Sequence, residues 1–349
     1  MLKYLRTGAV DDKRSQTKDE RHQNFATVLQ KRISDTCEAH LNWLISVTES
    51  PEQSRFEQNY WADGSLIDLQ SQPDIAGLSS DSLTNTPFQL LKFANAAIMF
   101  NEDSGKSSLQ TADNPWTKDF SSRLLPWLQR LDTQNKRGFF AFPRMMDENQ
   151  VDYQEYRLDE HIWIWRVLRA AEVLGLDTEL RKKLRKKTNS KGLASSNIST
   201  LDHSYSTAEF EKQVLARFTT TNEFSSHRML AVTRSPFESI FQFRSRHTAL
   251  FYEENMQFFT KSSSLWAATI AIQRSYTKNQ ELRWDNPLRY ALALMMGTKG
   301  HQIDSTPSSE MVKRASHILL DSSSRSGIFP GYLNRDTKEP EMFPRGCKY

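Results

Sequence analysis

The sequence predicts an all-α fold. Apolar residues recur every three or four positions along much of the 349-residue chain, and no segment keeps up the period-two alternation of a half-buried strand. Only 12 glycines and 12 prolines punctuate it, too few for the frequent turns of a β-sandwich. Spacing and end signals together give about eight to ten helices.

The first is expected from Asn24 to Val47, where Phe25, Leu29, Ile33, Cys37, Leu41 and Leu44 line one face. Residues 61–82 read as a loop rich in serine with Gly64, Pro73 and Gly77. Thr86 is placed to cap the next helix with Pro87 at its first position, and Leu90, Leu91, Ala94, Ala97 and Ile98 form the face to be buried. A polar connector over 101–114 leads to Pro115, which opens a helix through Leu131.

Asp159 begins the most apolar helix, running to about Leu174 and closed by Gly175. Ile162, Trp163, Ile164, Trp165, Val167, Leu168, Ala170, Ala171, Val173 and Leu174 occupy most of its circumference, so it must be packed on nearly all sides. Ser206-Thr207-Ala208-Glu209 has the pattern of a capping box and starts a helix to about Phe218. Phe237 to Phe243 is short and aromatic enough to be extended. Helices resume at 246–259 and 265–276, then from Asn286-Pro287 to Gly297, and finally around Met311, Ala315, Ile318 and Leu319.

The organisation expected is a charged, disordered tail over 1–24 and a helical domain over 25–349, with a flexible basic and serine-rich insertion at 181–205. Net charge is +4, but Arg181-Lys182-Lys183-Leu184-Arg185-Lys186-Lys187 alone carries six cations, so the remainder is slightly acidic. No aromatic residue interleaves that run, which argues against a nucleic-acid surface. A solvated helix end is the plainer reading, and nuclear import through Arg181–Lys187 the sharper one. The first residues lack the apolar core of a secretory signal, and no run of about eighteen apolar residues exists to span a membrane. Cys37 and Cys347 lie at opposite ends, which argues against a disulfide scaffold and for a cytoplasmic, reducing setting.

Two segments echo each other. Leu131-Asp132 is followed by Gly138, Phe139, Phe140 and Pro143; Leu320-Asp321 is followed by Gly327, Ile328, Phe329 and Pro330, with the glycine at the same spacing. A glycine there lets the chain leave a helix sharply while the aromatic returns to the core. Repeated helix–turn–aromatic units are what a ring of helical hairpins would show, with coincidence as the alternative.

Asp159-Glu160-His161-Ile162-Trp163-Ile164-Trp165, the Gly-Phe turns, and Trp284-Asp285-Asn286-Pro287-Leu288-Arg289-Tyr290-Ala291-Leu292-Ala293 resemble fungal proteins related to six-hairpin glycosidases of the glucoamylase-like or glycogen-debranching-like kind. The resemblance covers residues 127–343. It implies helical hairpins forming a complete or partial α/α toroid, with the helices opened by Asp159 and Asn286 on the inside and those of Leu90 and Met311 on the outside. It also implies a chain continuing past this C-terminus, so that 344–349 would close a shortened ring.

Such a relationship implies glycoside hydrolysis by two carboxylates, one acid and one base or nucleophile. Asp159 or Glu160 paired with Asp285 is the candidate catalytic set, and Trp163, Trp165 and Trp284 are the candidate sugar-stacking residues. The plainer reading makes Asp159 and Asp285 helix caps, Glu160 a partner of the helix dipole, and the tryptophans core. Glu253 with Glu254 is a weaker acidic pair; Arg244, Arg246 and His247 could orient a polar ligand or simply be solvated.

The expected partner is a glycan or other small molecule, with a protein partner as the alternative in a non-catalytic interaction protein, for instance an accessory in a fungal pathway. No cofactor is expected, and no metal: His-Glu-x-x-His and paired Cys-x-x-Cys are missing, and Asp11-Asp12 lies in the charged tail. Gly105-Lys106-Ser107 lacks the upstream glycine of a phosphate loop, and no Gly-x-Ser-x-Gly elbow occurs.

Overall fold

The computed structural model describes residues 19–46, 82–104, 114–134, 140–142, 155–176, 205–223, 225–251, 258–259, 263–277, 283–298, 309–323 and 330–341. The basic run, nearly all of the 181–205 insertion, the Glu253–Glu254 pair, the 61–81 loop and the glycines of the internal echo lie outside them. Among the described residues there are eight α-helices, and the protein is mostly helical. Short strands, which the sequence reading did not expect apart from the 237–243 segment, make up three small antiparallel sheets. The chain divides into two compact units, 1–129 and 130–349.

The first unit holds α1 (Asp19–Ser46), α2 (Ser82–Ser104) and most of α3 (Pro115–Gln134). Helix α1 begins inside the stretch expected to be a tail. Among its described side chains, Leu41 and Leu44 are in the core, while Cys37 is exposed. Helix α2 starts at Ser82, so Thr86 is not its cap and Pro87 stands inside the helix. Leu90, Leu91, Phe93, Ala94 and Ala97 form its buried face. The start of α3 is the one the sequence indicated. Asn114 caps it, its Oδ1 accepting from the Trp116 N–H at 2.9 Å, and Pro115 occupies the first position, where no N–H is required.

The second unit is organised around α4 (Leu158–Val173), which follows directly on β1 (Tyr156–Arg157). Thirteen of its sixteen residues are buried, which is the all-round packing its composition demanded. It ends in a Schellman turn: Leu176 N–H donates to Ala171 O and Gly175 N–H to Glu172 O, with Gly175 at φ 70°. Only a glycine takes that conformation at little cost.

Helix α5 (Thr207–Phe218) packs on α4 and opens with Ser206, whose hydroxyl accepts from Glu209 N–H at 3.3 Å. The carboxylate of Glu209 turns to Gln213 at 2.7 Å, so the box serves the helix through its serine half. Strand β2 (Thr219–Asn222) continues straight from α5 because three consecutive β-branched threonines favour extended backbone. It pairs with β3 (His227–Leu230), and β1, β4 (Thr233–Arg234) and β5 (Ser239–Ile240) form the second sheet in the order β1-β4-β5.

Helix α6 (Ser263–Thr277) satisfies backbone that these short strands leave over. Thr269 accepts from Leu230 N–H at 3.0 Å, and Gln273, one turn on, accepts from Phe243 N–H at 2.8 Å while donating to Phe241 O at 2.7 Å. Both side chains are fully buried, which only such pairing permits. The 246–259 segment expected as α-helix is instead a 3₁₀ turn over Ser245–Phe251, with 252–257 outside the described residues.

Helices α7 (Pro287–Thr298) and α8 (Ser309–Ser322) form a close pair, and β6 (Tyr332–Leu333) with β7 (Pro340–Glu341) forms a hairpin beside the start of α7. Trp284, Tyr290, Ala293, Ala315 and Leu333 share one apolar cluster there. The helix pair approaches closely at Gly297, where an added Cβ would overlap Cγ2 of Val312. Alanine would gain about 1 kcal/mol of helix propensity but lose roughly 1–3 kcal/mol to overpacking against a stiff β-branched side chain. Gly297→Ala is therefore expected to lower stability in denaturant titration, and Gly297→Ala with Val312→Ala to recover part of the loss. A stabilised single variant would mean that the helices can separate freely.

Candidate functional site

The residues singled out in the sequence fall into two separate places. Asp159 and Glu160 lie in the first turn of α4, where Arg157 rather than Asp159 is the capping residue, in extended conformation and without a side-chain cap bond. Arg157 bonds Glu160 at 2.8 Å and approaches Asp159 at 3.5 Å, and the carboxyl-bearing side chains are only 4% and 0% exposed. Both acids stand in the first turn of the helix, where the positive end of its dipole favours negative charge. This is a buried charge cluster that fastens the helix start to strand β1. It presents no carboxylate to solvent.

His161 completes that anchor. It is fully buried, its Nδ1 lies 2.6 Å from Arg157 O, and its Nε2 is 3.2 Å from Phe142 N. A backbone carbonyl can only accept and a backbone N–H can only donate, so the ring is neutral with its proton on Nδ1. Burial pushes its pKa down to about 4, against the bond to Arg157 O and with the Arg217 charge. Phe142 and Phe218 pack against the ring at 5.8 and 5.2 Å.

The candidate stacking residues are core. Trp165 donates from Nε1 to Thr207 O at 3.1 Å and meets Phe258 edge-on at 5.1 Å. Trp163 is covered by the Arg166 guanidinium at 4.6 Å. Trp284 is buried against Tyr290 at 5.3 Å. None of the three indoles offers a free face to a sugar. His247, expected at the surface if solvated, is also fully buried, with its Nδ1 accepting from Arg244 N–H at 2.6 Å.

Asp285 differs. It precedes the true cap of α7, Asn286, whose Oδ1 accepts from Leu288 N–H at 2.9 Å. Its backbone carbonyl accepts from Leu333 N–H at 2.7 Å, and its side chain takes Nε and Nη2 of Arg335 at 2.9 and 2.8 Å. Asp285, Tyr332, Leu333, Asn334, Arg335, Asp336 and Glu341 surround an open cleft of about 410 Å³. Asn334 shapes the hairpin end: its Oδ1 accepts from the Asp336 and Thr337 N–H groups and its Nδ2 donates to Glu341 at 3.1 Å. Lys338, in left-handed conformation at φ 62°, donates to Trp284 O at 3.0 Å and ties the turn to the α7 start.

The structure therefore brings Asp159 and Glu160 together in the core and places Asp285 in a cleft with different neighbours. Arg157, Tyr332, Arg335 and Glu341 are the residues that reading the sequence missed. Arg157 stands three residues before Glu160, a spacing that offers a pairing signal, and Tyr332-Leu333-Asn334-Arg335-Asp336 carries the apolar pair and Asn/Asp turn of a hairpin. Among the described residues, no group of three or more His, Cys, Asp or Glu side chains could hold a metal ion, and no helix is long and apolar enough to cross a membrane. Comparison with protein-family models, curated proteins and solved structures gives no match.

Two measurements check the anchor. Removing Arg157 would leave buried anions without their guanidinium, so Arg157→Leu is expected to cost about 3–5 kcal/mol in denaturant unfolding, and a loss under about 1 kcal/mol would mean that water reaches the cluster. His161 binds a proton more readily when unfolded, with an ordinary pKa of 6.5, than folded at about 4. Its stabilising contribution is thus complete above pH 6.5 and is lost as the pH falls to 4, by roughly 3 kcal/mol over the window. His161→Gln is expected to remove that part of the acid sensitivity in melts from pH 7 to 4; parallel curves for both proteins would contradict a neutral buried ring.

Proposed function

We propose that this chain is a non-catalytic binding protein for a glycan or similar polyhydroxylated small molecule, held in the cleft between Asp285 and the β6–β7 hairpin. The observation that carries the reading is the composition of that one open cleft. Carboxylates of Asp285, Asp336 and Glu341 accept hydrogen bonds from hydroxyls, Arg335 and Asn334 donate, and Tyr332, 44% exposed, offers an aromatic face to the C–H side of a ring. Its volume falls in the range of about 300–1,000 Å³ usual for small-molecule sites.

The burial of Asp159 and Glu160 against Arg157 supports binding over hydrolysis. A general acid must reach the glycosidic oxygen, and these side chains reach neither solvent nor the cleft lining. The reading also takes α4 and α7 as inner helices of a partial α/α toroid. The near-complete packing of α4 supports that, as does the mostly covered surface of α7, along with the likeness to six-hairpin glycosidases carried by residues 159–165 and 284–293.

Titration with maltose and longer malto-oligosaccharides, followed by calorimetry and by Trp284 fluorescence behind the cleft, tests it. Saturable binding is expected. Tyr332→Ala and Asp285→Asn should each weaken it about tenfold, the size of losing one stacking or charge-assisted contact of roughly 1.4 kcal/mol. Unaltered affinity in both variants would move the site elsewhere. Turnover of an aryl glycoside that Asp285→Asn and Glu341→Gln both abolish would replace the binding reading with a hydrolase whose acid and base share this cleft.

A further inference from the structure

The first unit carries a different arrangement, remote in sequence from the cleft and independent of it. Lys92 on α2 places its Nζ 2.8 Å from Nε2 of His40 on α1. An ammonium has only protons to give, so Nε2 is the acceptor and the imidazole is neutral with its proton on Nδ1. The His40 ring stacks on Trp43 at 5.7 Å and 23°, and the Phe88 ring centroid is 5.0 Å from Nζ. Among the described residues, no carboxylate lies within salt-bridge distance of this amine. The amine faces the Phe88 ring and the imidazole base, which in turn is stacked on Trp43.

We propose that Lys92 is a modification site, a nucleophilic amine that takes an acyl group from a reactive thioester with His40 as its proton acceptor. The uncharged Nζ attacks the carbonyl carbon and forms a C–N bond. The C–S bond breaks and the sulfur leaves with its electron pair as thiolate. The proton released from nitrogen passes to Nε2 of His40 and on to solvent, leaving a neutral amide at position 92. No oxidant, metal or cofactor enters the balance.

The surroundings favour that step on both sides. Half-burial pushes the Lys92 pKa below its ordinary value, which raises the share of uncharged amine at neutral pH. Burial, and then the Lys92 charge, lower the pKa of His40, so its acceptor nitrogen is unprotonated when the amine reacts. The His40 side chain is largely exposed, which leaves a reagent room to approach. Acylation would remove a charge that now lies against Phe88 and His40, without taking away the N–H that bonds Nε2.

The test exposes the full chain to a small substoichiometric thioester, S-phenyl thioacetate, and follows each lysine by peptide mass spectrometry. Lys118 and Lys313, both exposed, serve as internal references. Lys92 is expected to acetylate about tenfold faster than either reference at pH 7.5, because His40 takes up the proton as the amide forms. His40→Gln should bring it within about twofold of the references, and the wild-type lead of Lys92 over them should narrow as the pH rises and lysine amines in general lose their protons. Labelling no faster than the references, or a rate untouched by His40→Gln in a folded variant, overturns the proposal. Should that variant unfold, the wild-type profiles decide, and coincident profiles for Lys92 and Lys118 reject it.

Discussion

The second unit depends on how a helix can be buried from its first residue. Helix α4 enters the core straight from strand β1, so its unpaired N–H groups and the charges near them cannot be left to water. Arg157 pairs with Asp159 and Glu160, two acids in the first turn where the helix dipole favours them, and His161 links the Arg157 carbonyl to the Phe142 N–H through one neutral ring. Buried ion groups contribute little net stability compared with apolar packing, but breaking one is costly. The cluster therefore acts mainly as a constraint: a shift of the α4 start would pull the buried acids away from Arg157.

The same logic explains the small sheets. Leu158 N–H donates to Val232 O, Val232 N–H to Ile240 O, and Ala231 N–H to Phe218 O, so the strands continue the hydrogen bonding of helix ends instead of forming a layer of their own. Met229, Leu230, Ala231 and Val232 are fully buried and need covering on both sides. Thr269 and Gln273 on α6 then supply side-chain partners where the ladder is too short to supply backbone ones. The strands are fittings between helices, and the fold stays mostly α-helical with them present.

How much of this could be read from the residues differs by the kind of signal. Local punctuation was legible: Pro115, Ser206, Asn286-Pro287 and Gly175 act where their chemistry says they should. All-round burial of α4 followed from its composition. The short strands escaped because Thr219-Thr220-Thr221 is polar and Met229 to Val232 is uniformly apolar, so neither alternates. Pro87 misled because a proline suits a first turn by local preference, while the helix around it extends five residues further back. Apolar periodicity in α1 reported a face, not its burial: Leu41 and Leu44 are covered and Cys37 is not.

The candidate site shows a sharper limit. Asp159, Glu160 and Asp285 share a sequence context, an acid at the head of an apolar helix with tryptophan nearby, and local context treats them alike. What separates them is the cation that reaches each one. Arg157 meets its two acids from the adjoining strand, inside the core, and uses them to hold a helix in place. Arg335 comes from a hairpin fifty residues along the chain and meets Asp285 at the rim of a cleft, with Tyr332 and Glu341 alongside. A carboxylate paired in the core is committed to structure, since releasing it would expose a buried counter-charge. One paired at a half-open rim can exchange part of its bonding for a ligand hydroxyl at small cost, because water already competes there. That difference in replaceability makes the Asp285 cleft the place to look for binding, and it comes from a long-range pairing that no local pattern encodes.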